Sequence, residues 1–221
     1  MLQALLERPI QQRKRMDENL RTELCNEHRN ELRNELLAMR DEDLRVRKEL
    51  LDAGELSGHY APRMEYVHVA NARRLREIVS THVWPDESLV GADGAEAAWL
   101  IVQHAIGEPD LQRSVLGLLR NAAERGLVPA WQAAYLEDRI ALYENRPQRY
   151  GTQSIDDPRD GRSRPWLLAE PERVNELRAS VGLEPLPPIP EAGPDLPFET
   201  QQQMLENERW WKDWLASKGW R

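Results

Sequence analysis

The chain has 221 residues, a net charge of −8, 31% charged residues and 40% hydrophobic residues. Its arginines are interleaved with acids and leave no bare basic face, so nothing favours a duplex-binding surface. Cys25 is the only cysteine, which excludes an intrachain disulfide and a thiolate metal cluster.

Met1 to Arg15 lacks the basic–apolar–small pattern of a signal peptide, and no apolar run reaches the roughly 20 residues of a membrane span. A reducing cytoplasm is the expected compartment. Arginine far outnumbers lysine, which occurs only at Lys14, Lys48, Lys212 and Lys218. That bias fits a GC-rich bacterial genome. Sparse glycine and a single phenylalanine, Phe198, argue against an all-β fold.

In chain order, Leu2, Leu5, Leu6 and Ile10 form a short apolar patch broken at Pro9. From Gln11 to about Ala53 there is neither Gly nor Pro, which predicts one long helix. Within it Met16, Leu20, Leu24, His28, Leu32 and Leu36 recur every fourth residue, a spacing that drifts around a helix and holds no single seam. Gly54, Gly58 and Pro62 end it. Met64 to His82 reads as a second helix, with Val67, Ala70, Asn71, Leu75, Ile78 and Val79 at helical spacing, closed by Trp84-Pro85.

Residues 97–106, Ala-Ala-Trp-Leu-Ile-Val-Gln-His-Ala-Ile, are the longest apolar run, bounded by Gly91 and Gly94 before and by Gly107 and Pro109 after. Such a run predicts a buried helix wrapped by the others. Helices over 110–125 and 130–145 follow, opened by Pro109 and Pro129. Residues 147–169 carry Gly151, Pro158, Gly161 and Pro165 and read as a long loop. A short helix over 171–181, a proline-rich stretch over 184–197 and a tryptophan-bearing helix over 199–218 complete the chain. The division is an N-terminal helical arm (1–53), a helical core (54–186), and a linker with a C-terminal helix (187–221).

Polar residues inside apolar helices mark the candidate site. Gln103 and His104 sit in the buried run, where each needs a partner. A neutral imidazole in a polar cleft suits a general base near pH 7; the alternative, which the sequence alone favours, is a core histidine tied to a carbonyl or carboxylate. Gln112, beyond Pro109, can return to the same region. Asp138 and Arg139 lie on a helix apolar on most sides, so Asp138 is a candidate to orient His104 or act as a base, and Arg139 to hold an anion. The equally weighted alternative for Asp138 is a structural ion pair. Gln148, Arg149, Tyr150, Gly151, Thr152 and Gln153 gather hydrogen-bonding groups in one short turn. They could present those groups to a ligand, or satisfy backbone beneath them. His28, His59, His68, His82 and His104 have no metal-ligand spacing, and there is no phosphate loop or dinucleotide fingerprint. Neither a metal nor a cofactor is expected.

The pattern Trp84-Pro85, Val90-Gly91, Ala98-Trp99-Leu100, Gln103-His104-Ala105, Gln112, Tyr135-Leu136 with Asp138-Arg139, Pro147-Gln148 and Tyr150-Gly151-Thr152-Gln153 resembles a bacterial domain family of unknown function. The resemblance covers about residues 40–186. It continues through Val174, Arg178 and Val181-Gly182-Leu183, and reaches back to Asp43 and Arg47, which it adds to the candidate ligand-binding set. Similar sequences often carry aspartate after Gln-His-Ala, where this chain has Ile106.

The expectation is a mainly α protein: a helical core with a long N-terminal arm and a tryptophan-rich C-terminal helix. The leading functional reading is cofactor-free acid–base chemistry on a polar small molecule. In it His104 and Asp138 are catalytic, and Gln103, Gln112, Arg139, Gln148, Tyr150, Thr152, Gln153, Asp43 and Arg47 bind substrate. The alternative is a non-catalytic binding or scaffold protein. The apolar area of Trp210, Trp211, Trp214 and Trp220 calls for a covering surface; a homodimer sharing arm and tail is expected to supply it, and docking of the tail on its own domain is the evenly weighted alternative.

Overall fold

A computed structural model describes residues 10–56, 58–81 and 84–221, with side chains from residue 18 onward. The patch of Leu2, Leu5 and Leu6, the side chains of Ile10 and Met16, and His82 lie outside these residues. Seven α-helices and one small hairpin are described, so the mainly α expectation holds.

Helix α1, Ile10–Asp52, is unbroken because nothing in it interrupts the backbone ladder; at 1.5 Å per residue it is about 65 Å long. Its first half projects, with Leu20 and Leu24 exposed. Packing begins at Leu32. From there Leu32, Leu36, Met39, Asp43, Val46 and Leu50 alternate steps of four and three, which keeps a stripe on one side of a helix. Four of the six are buried aliphatics, and Asp43 is buried with them.

Helix α2, Pro62–Thr81, buries Met64, Val67, His68, Asn71, Ala72, Leu75 and Ile78. Ala70 faces solvent, and Ala72 takes the core position instead. Asn71 Nδ2 donates to the Met39 carbonyl (3.1 Å) and so ties α2 to α1.

Helix α3, Glu87–His104, contains the apolar run and packs against α1, α2 and α4. It starts ten residues before that run, with Asp86 accepting from Ser88 N (2.8 Å) and Leu89 N (3.2 Å) as its N-cap. Its first turn breaks at Gly91, where φ is +73°. Gly94, expected to lie before the helix, is inside it. A Cβ there would meet Val90 at 2.9 Å and Arg33 at 3.3 Å, so glycine permits the close approach of α1.

Helices α4, Pro109–Glu124, and α5, Ala130–Tyr143, pack against each other. The stretch read as an unstructured loop contains a hairpin, β1 Ser154–Asp156 and β2 Ser163–Pro165, antiparallel with Ser154 opposite Pro165. The strands are too short for a period-two pattern to register in the sequence. A 3-10 turn, Pro171–Arg173, leads into α6, Val174–Ser180.

The proline-rich stretch is extended and strapped over the hairpin. Gly193 N donates to Asp160 Oδ2 (2.8 Å) and Leu196 N to the Arg159 carbonyl (2.7 Å). It delivers α7, Phe198–Ser217, back onto the body. There Trp210 stacks on His59 (ring centroids 4.4 Å apart), Trp211 Nε1 donates to the Gly58 carbonyl (2.9 Å), and Trp214 meets Tyr60 edge-on. Leu215 and Trp220 join the main core. The tail thus docks on its own chain, which leaves Trp210, Trp211 and Trp214 half-buried and Trp220 buried. No helix among the described residues is long and apolar enough to cross a membrane.

Candidate functional site

A pocket of about 530 Å³ opens between α1, α2, α3, α5 and the tail helix α7. Its floor is built from the polar positions of the packing stripes. Asp43, fully buried on the α1 stripe, lies beneath two histidines. His104, in the last turn of α3, places Nδ1 at 2.9 Å from Oδ2 and 3.1 Å from Oδ1 of Asp43. His68, on the core face of α2, places Nε2 at 3.1 Å from Oδ2. That contact is too oblique to make a well-formed hydrogen bond, and Nε2 has no aligned partner among the described residues. On its other side His68 Nδ1 is hydrogen-bonded to the Tyr60 hydroxyl.

The protonation pattern follows from these partners. Burial alone would raise the Asp43 carboxyl, but the hydrogen bond from His104 and the close polar contact of His68 outweigh it and hold the group well below the usual carboxylate range. Burial lowers the His68 imidazole, against the pull of Asp43. Burial also raises the Tyr60 phenol, so its proton stays. Tyr60 therefore donates to His68 Nδ1, which leaves the His68 proton on Nε2, turned toward Asp43. His104 donates from Nδ1 to Asp43, so its neutral form carries the free lone pair on Nε2. The ring lines the pocket.

One ligand atom from each of Asp43, His68 and His104 lies within 4.8 Å of the others, close enough for three donors around one divalent ion. The N–H of His104 is directed at the carboxylate itself, where such an ion would need the lone pair.

Two arginines face the same space. Arg47 stands one turn after Asp43 on α1, and Arg139 reaches in from α5. Arg139 Nη1 donates to the Gln103 carbonyl (3.0 Å), while its buried Nε has no partner among the described residues. Gln112 Nε2 donates to the Val102 carbonyl (2.7 Å). With Trp220 Nε1 on the Ile106 carbonyl (2.7 Å), side chains from three elements close the open end of α3 and fix His104. Gln112 thus acts on backbone, and the Gln103 side chain is buried with neither polar atom partnered among the described residues. Ile106 is an apolar part of the pocket lining, where an aspartate would have added a second carboxylate.

Asp138 does not pair with His104. Its carboxylate is buried and accepts from Arg149 N (2.7 Å), Tyr150 N (3.1 Å), Thr152 N (3.0 Å) and Thr152 Oγ1 (3.0 Å). Burial raises this carboxyl above its ordinary range even so, against the pull of Thr152, Tyr150 and Arg149. The turn it grips is a self-contained knot. Gln148 donates from Nε2 to the Gln153 and Trp166 carbonyls (2.8 and 3.0 Å) and accepts from Gln153 N (2.9 Å). Gln153 Nε2 donates to Thr152 Oγ1, and Arg178 Nη1 donates to the Tyr150 carbonyl (2.8 Å). Gly151, at φ +65°, passes beneath Leu168 and Leu186 with no room for a relaxed Cβ. Gln148, Thr152 and Gln153 therefore satisfy backbone or each other, the Tyr150 ring packs with Ala134 and Leu177, and none of the four lines the pocket. Of the expected site residues, His104, Arg47 and Arg139 line it, and Asp43 supports it from below.

The sequence reading passed over His68, Tyr60 and Trp211. His68 had a detectable signal: it lies four residues from both Met64 and Ala72, on the core face of α2. Tyr60 and Trp211 come from a linker and the tail, and nothing in their spacing links them to α1 or α3.

The chain belongs to a family of unknown function, DUF6624, whose model matches residues 30–191. That span holds Asp43, Arg47, His68, His104, Arg139 and the Asp138 turn, and it stops before α7. No curated protein and no solved structure matches the chain.

Proposed function

We propose that the protein is an enzyme that performs acid–base chemistry on a polar small molecule held in this pocket, with His104 as the base and Asp43 as its orienting partner. One observation carries the reading: a fully buried, ionised carboxylate is spent on the inner nitrogen of an imidazole whose ring lines a cavity. A buried carboxylate is costly unless it is paired, and here its partner is positioned for proton transfer. In this reading His104 Nε2 takes a proton from the substrate or from a substrate-directed water. Asp43 stabilises the resulting imidazolium across the 2.9 Å contact, and the proton returns to the product. His68 and Tyr60 are positioning residues that hold the carboxylate toward His104. Asp43 takes the part that the sequence suggested for Asp138.

Two experiments test this. Long-range proton–nitrogen spectra of the imidazoles should show neutral His104 protonated on Nδ1, with that preference weakened in Asp43→Asn. In a panel of small-molecule substrates, any turnover should fall roughly 10²- to 10⁴-fold in His104→Asn. Turnover that survives His104→Asn within a factor of ten would remove His104 as the base.

A second reading, a divalent-metal site on Asp43, His68 and His104, is favoured by the unaligned Nε2 of His68. Calorimetric titration with Zn²⁺ and Mn²⁺ separates the two. Stoichiometric binding lost in Asp43→Asn would make His104 a ligand instead of a base.

A further inference from the structure

We infer that the pocket takes a small molecule with two parts: an anionic group, carboxylate or phosphate, held by Arg139 and Arg47, and a flat apolar body held against Trp211 of the C-terminal helix. The inference rests on the reading of this pocket as the functional site and names its ligand class.

The charge argument comes first. The chain is acidic overall, with 38 Asp and Glu against 30 Lys and Arg. Yet the pocket lining contains Arg47, Arg139, His59, His68 and His104 and no acidic side chain. Asp43 lies under the floor, committed to the two histidines. Many arginines at the surface are in ion pairs, among them Arg33 with Asp93, Arg74 with Glu35, Arg113 with Glu144 and Arg164 with Asp160. Neither Arg47 nor Arg139 has an ion pair among the described residues. Arg139 has committed one N–H to the Gln103 carbonyl, and its Nε is buried without an acceptor among the described residues. A buried guanidinium donor without an acceptor is costly, and a carboxylate or phosphate oxygen is the group its fork is shaped to receive.

The second part comes from the tail. Helix α7 lies outside residues 30–191, the span shared with the family. It nevertheless supplies Trp211 to the pocket wall. The indole is fixed by its N–H on the Gly58 carbonyl (2.9 Å) and by ring contacts with Trp210, Trp214 and Tyr60. The helix is held further along by Lys218 on Glu65 (2.7 Å) and by the buried Trp220. An aromatic ring held from several sides is a preformed surface for a planar apolar group. The tail thus adds a selectivity wall to a floor and clamp that lie within the family span.

Binding of four probes to the full-length protein, followed by ligand-detected NMR and calorimetry, tests the inference. Phenyl phosphate and 3-phenylpropionate present the anion with a ring, inorganic phosphate presents an anion alone, and phenethylamine presents the ring with the opposite charge. One or both aromatic anions should bind, inorganic phosphate more weakly, and phenethylamine not at all. The phosphate and carboxylate arms show which anion is preferred.

Arg47→Gln, on an exposed side chain that leaves the core intact, should weaken the aromatic anions roughly tenfold. Arg139→Gln should weaken them by at least as much. Trp211→Leu should weaken the aromatic anions while leaving inorganic phosphate unchanged. Binding of phenethylamine as tight as that of the anions, or anion binding unaffected by Arg47→Gln, overturns the clamp. Equal loss of aromatic and inorganic anions in Trp211→Leu overturns the wall. The imidazole spectra of the ligand-free protein are read separately. A His104 protonated on Nδ1 in a protein that binds none of the anions sinks the ligand class and leaves the acid–base reading standing.

Discussion

Removing the Asp138 carboxylate should loosen the 148–153 turn without disturbing His104. In Asp138→Ala, three backbone N–H groups, of Arg149, Tyr150 and Thr152, lose their acceptor together with the Thr152 hydroxyl. A buried donor left unpaired costs about 1–3 kcal/mol. Water reaching the partly buried Arg149 and Thr152 amides offsets some of that, so a total near 3 kcal/mol is expected. For a chain of this size, ~2–4 °C per kcal/mol makes this a drop of roughly 6–12 °C in melting temperature. Asp138→Asn keeps one acceptor but turns an amide NH₂ toward either the Arg149 or the Thr152 N–H, and should cost about 2 kcal/mol. The neighbouring Glu137→Gln gives up only a partly exposed pair with Arg120 (2.8 Å) and should cost less than about 1 kcal/mol. Thermal melts of the three variants, with amide exchange at Tyr150 and Thr152, measure this. Small, equal shifts would refute it. A change in the His104 nitrogen shifts in Asp138→Asn would restore the pairing that the sequence suggested.

Two further outcomes follow from other contacts. Trp220→Ala removes a buried indole, its hydrogen bond to the Ile106 carbonyl and its place under the Arg113 guanidinium, and should cost about 3–5 kcal/mol by urea denaturation. A loss below about 1 kcal/mol would mean that the end of the tail is not docked. The floor of the pocket should also make the fold sensitive to acid. The His68 imidazole is lowered by burial, so the unfolded chain binds its proton more readily. Its contribution is full above the unfolded value near 6.5 and fades as pH falls toward the folded value. Asp43 is held low as well, and its share goes only below the unfolded value near 4. The stability gap between wild type and His68→Gln should therefore shrink between pH 7.5 and pH 5. A gap that widens on acidification contradicts the neutral His68.

The helices could be read from the sequence because their causes are local. A run without Gly or Pro gives α1, an apolar run gives α3, and Pro109 and Pro129 open α4 and α5. The β1–β2 hairpin could not be read. Its three-residue strands are exposed or partly so, and they are held by the strap at Gly193 and Leu196, some thirty residues away. The docking of α7 was likewise hidden, because the surface that covers its tryptophans comes from His59, Tyr60 and the end of α3.

The site itself was half readable, because polar residues in apolar helices serve two different ends that look alike in a sequence. Asp138, Gln148, Gln112 and Arg178 direct their side chains at backbone, closing turns and helix ends that would otherwise leave buried groups unpaired. Asp43, His68 and His104 direct theirs at one another across three helices, with Asp43 and His104 61 positions apart. The partners of the first kind range from near in the chain, as Asp138 has in residues 149–152, to 28 residues away, as Arg178 has at Tyr150. The second kind betrays itself by register. Asp43 falls in the four-three alternation of Leu32, Leu36, Met39, Val46 and Leu50, at a position where packing alone would place an aliphatic side chain. A carboxylate kept there costs stability unless another helix supplies its donors. The break in the stripe therefore points across the core to a partner, and His104 on α3 supplies it at the floor of the one cavity, among those described, that Arg139 and Arg47 also face.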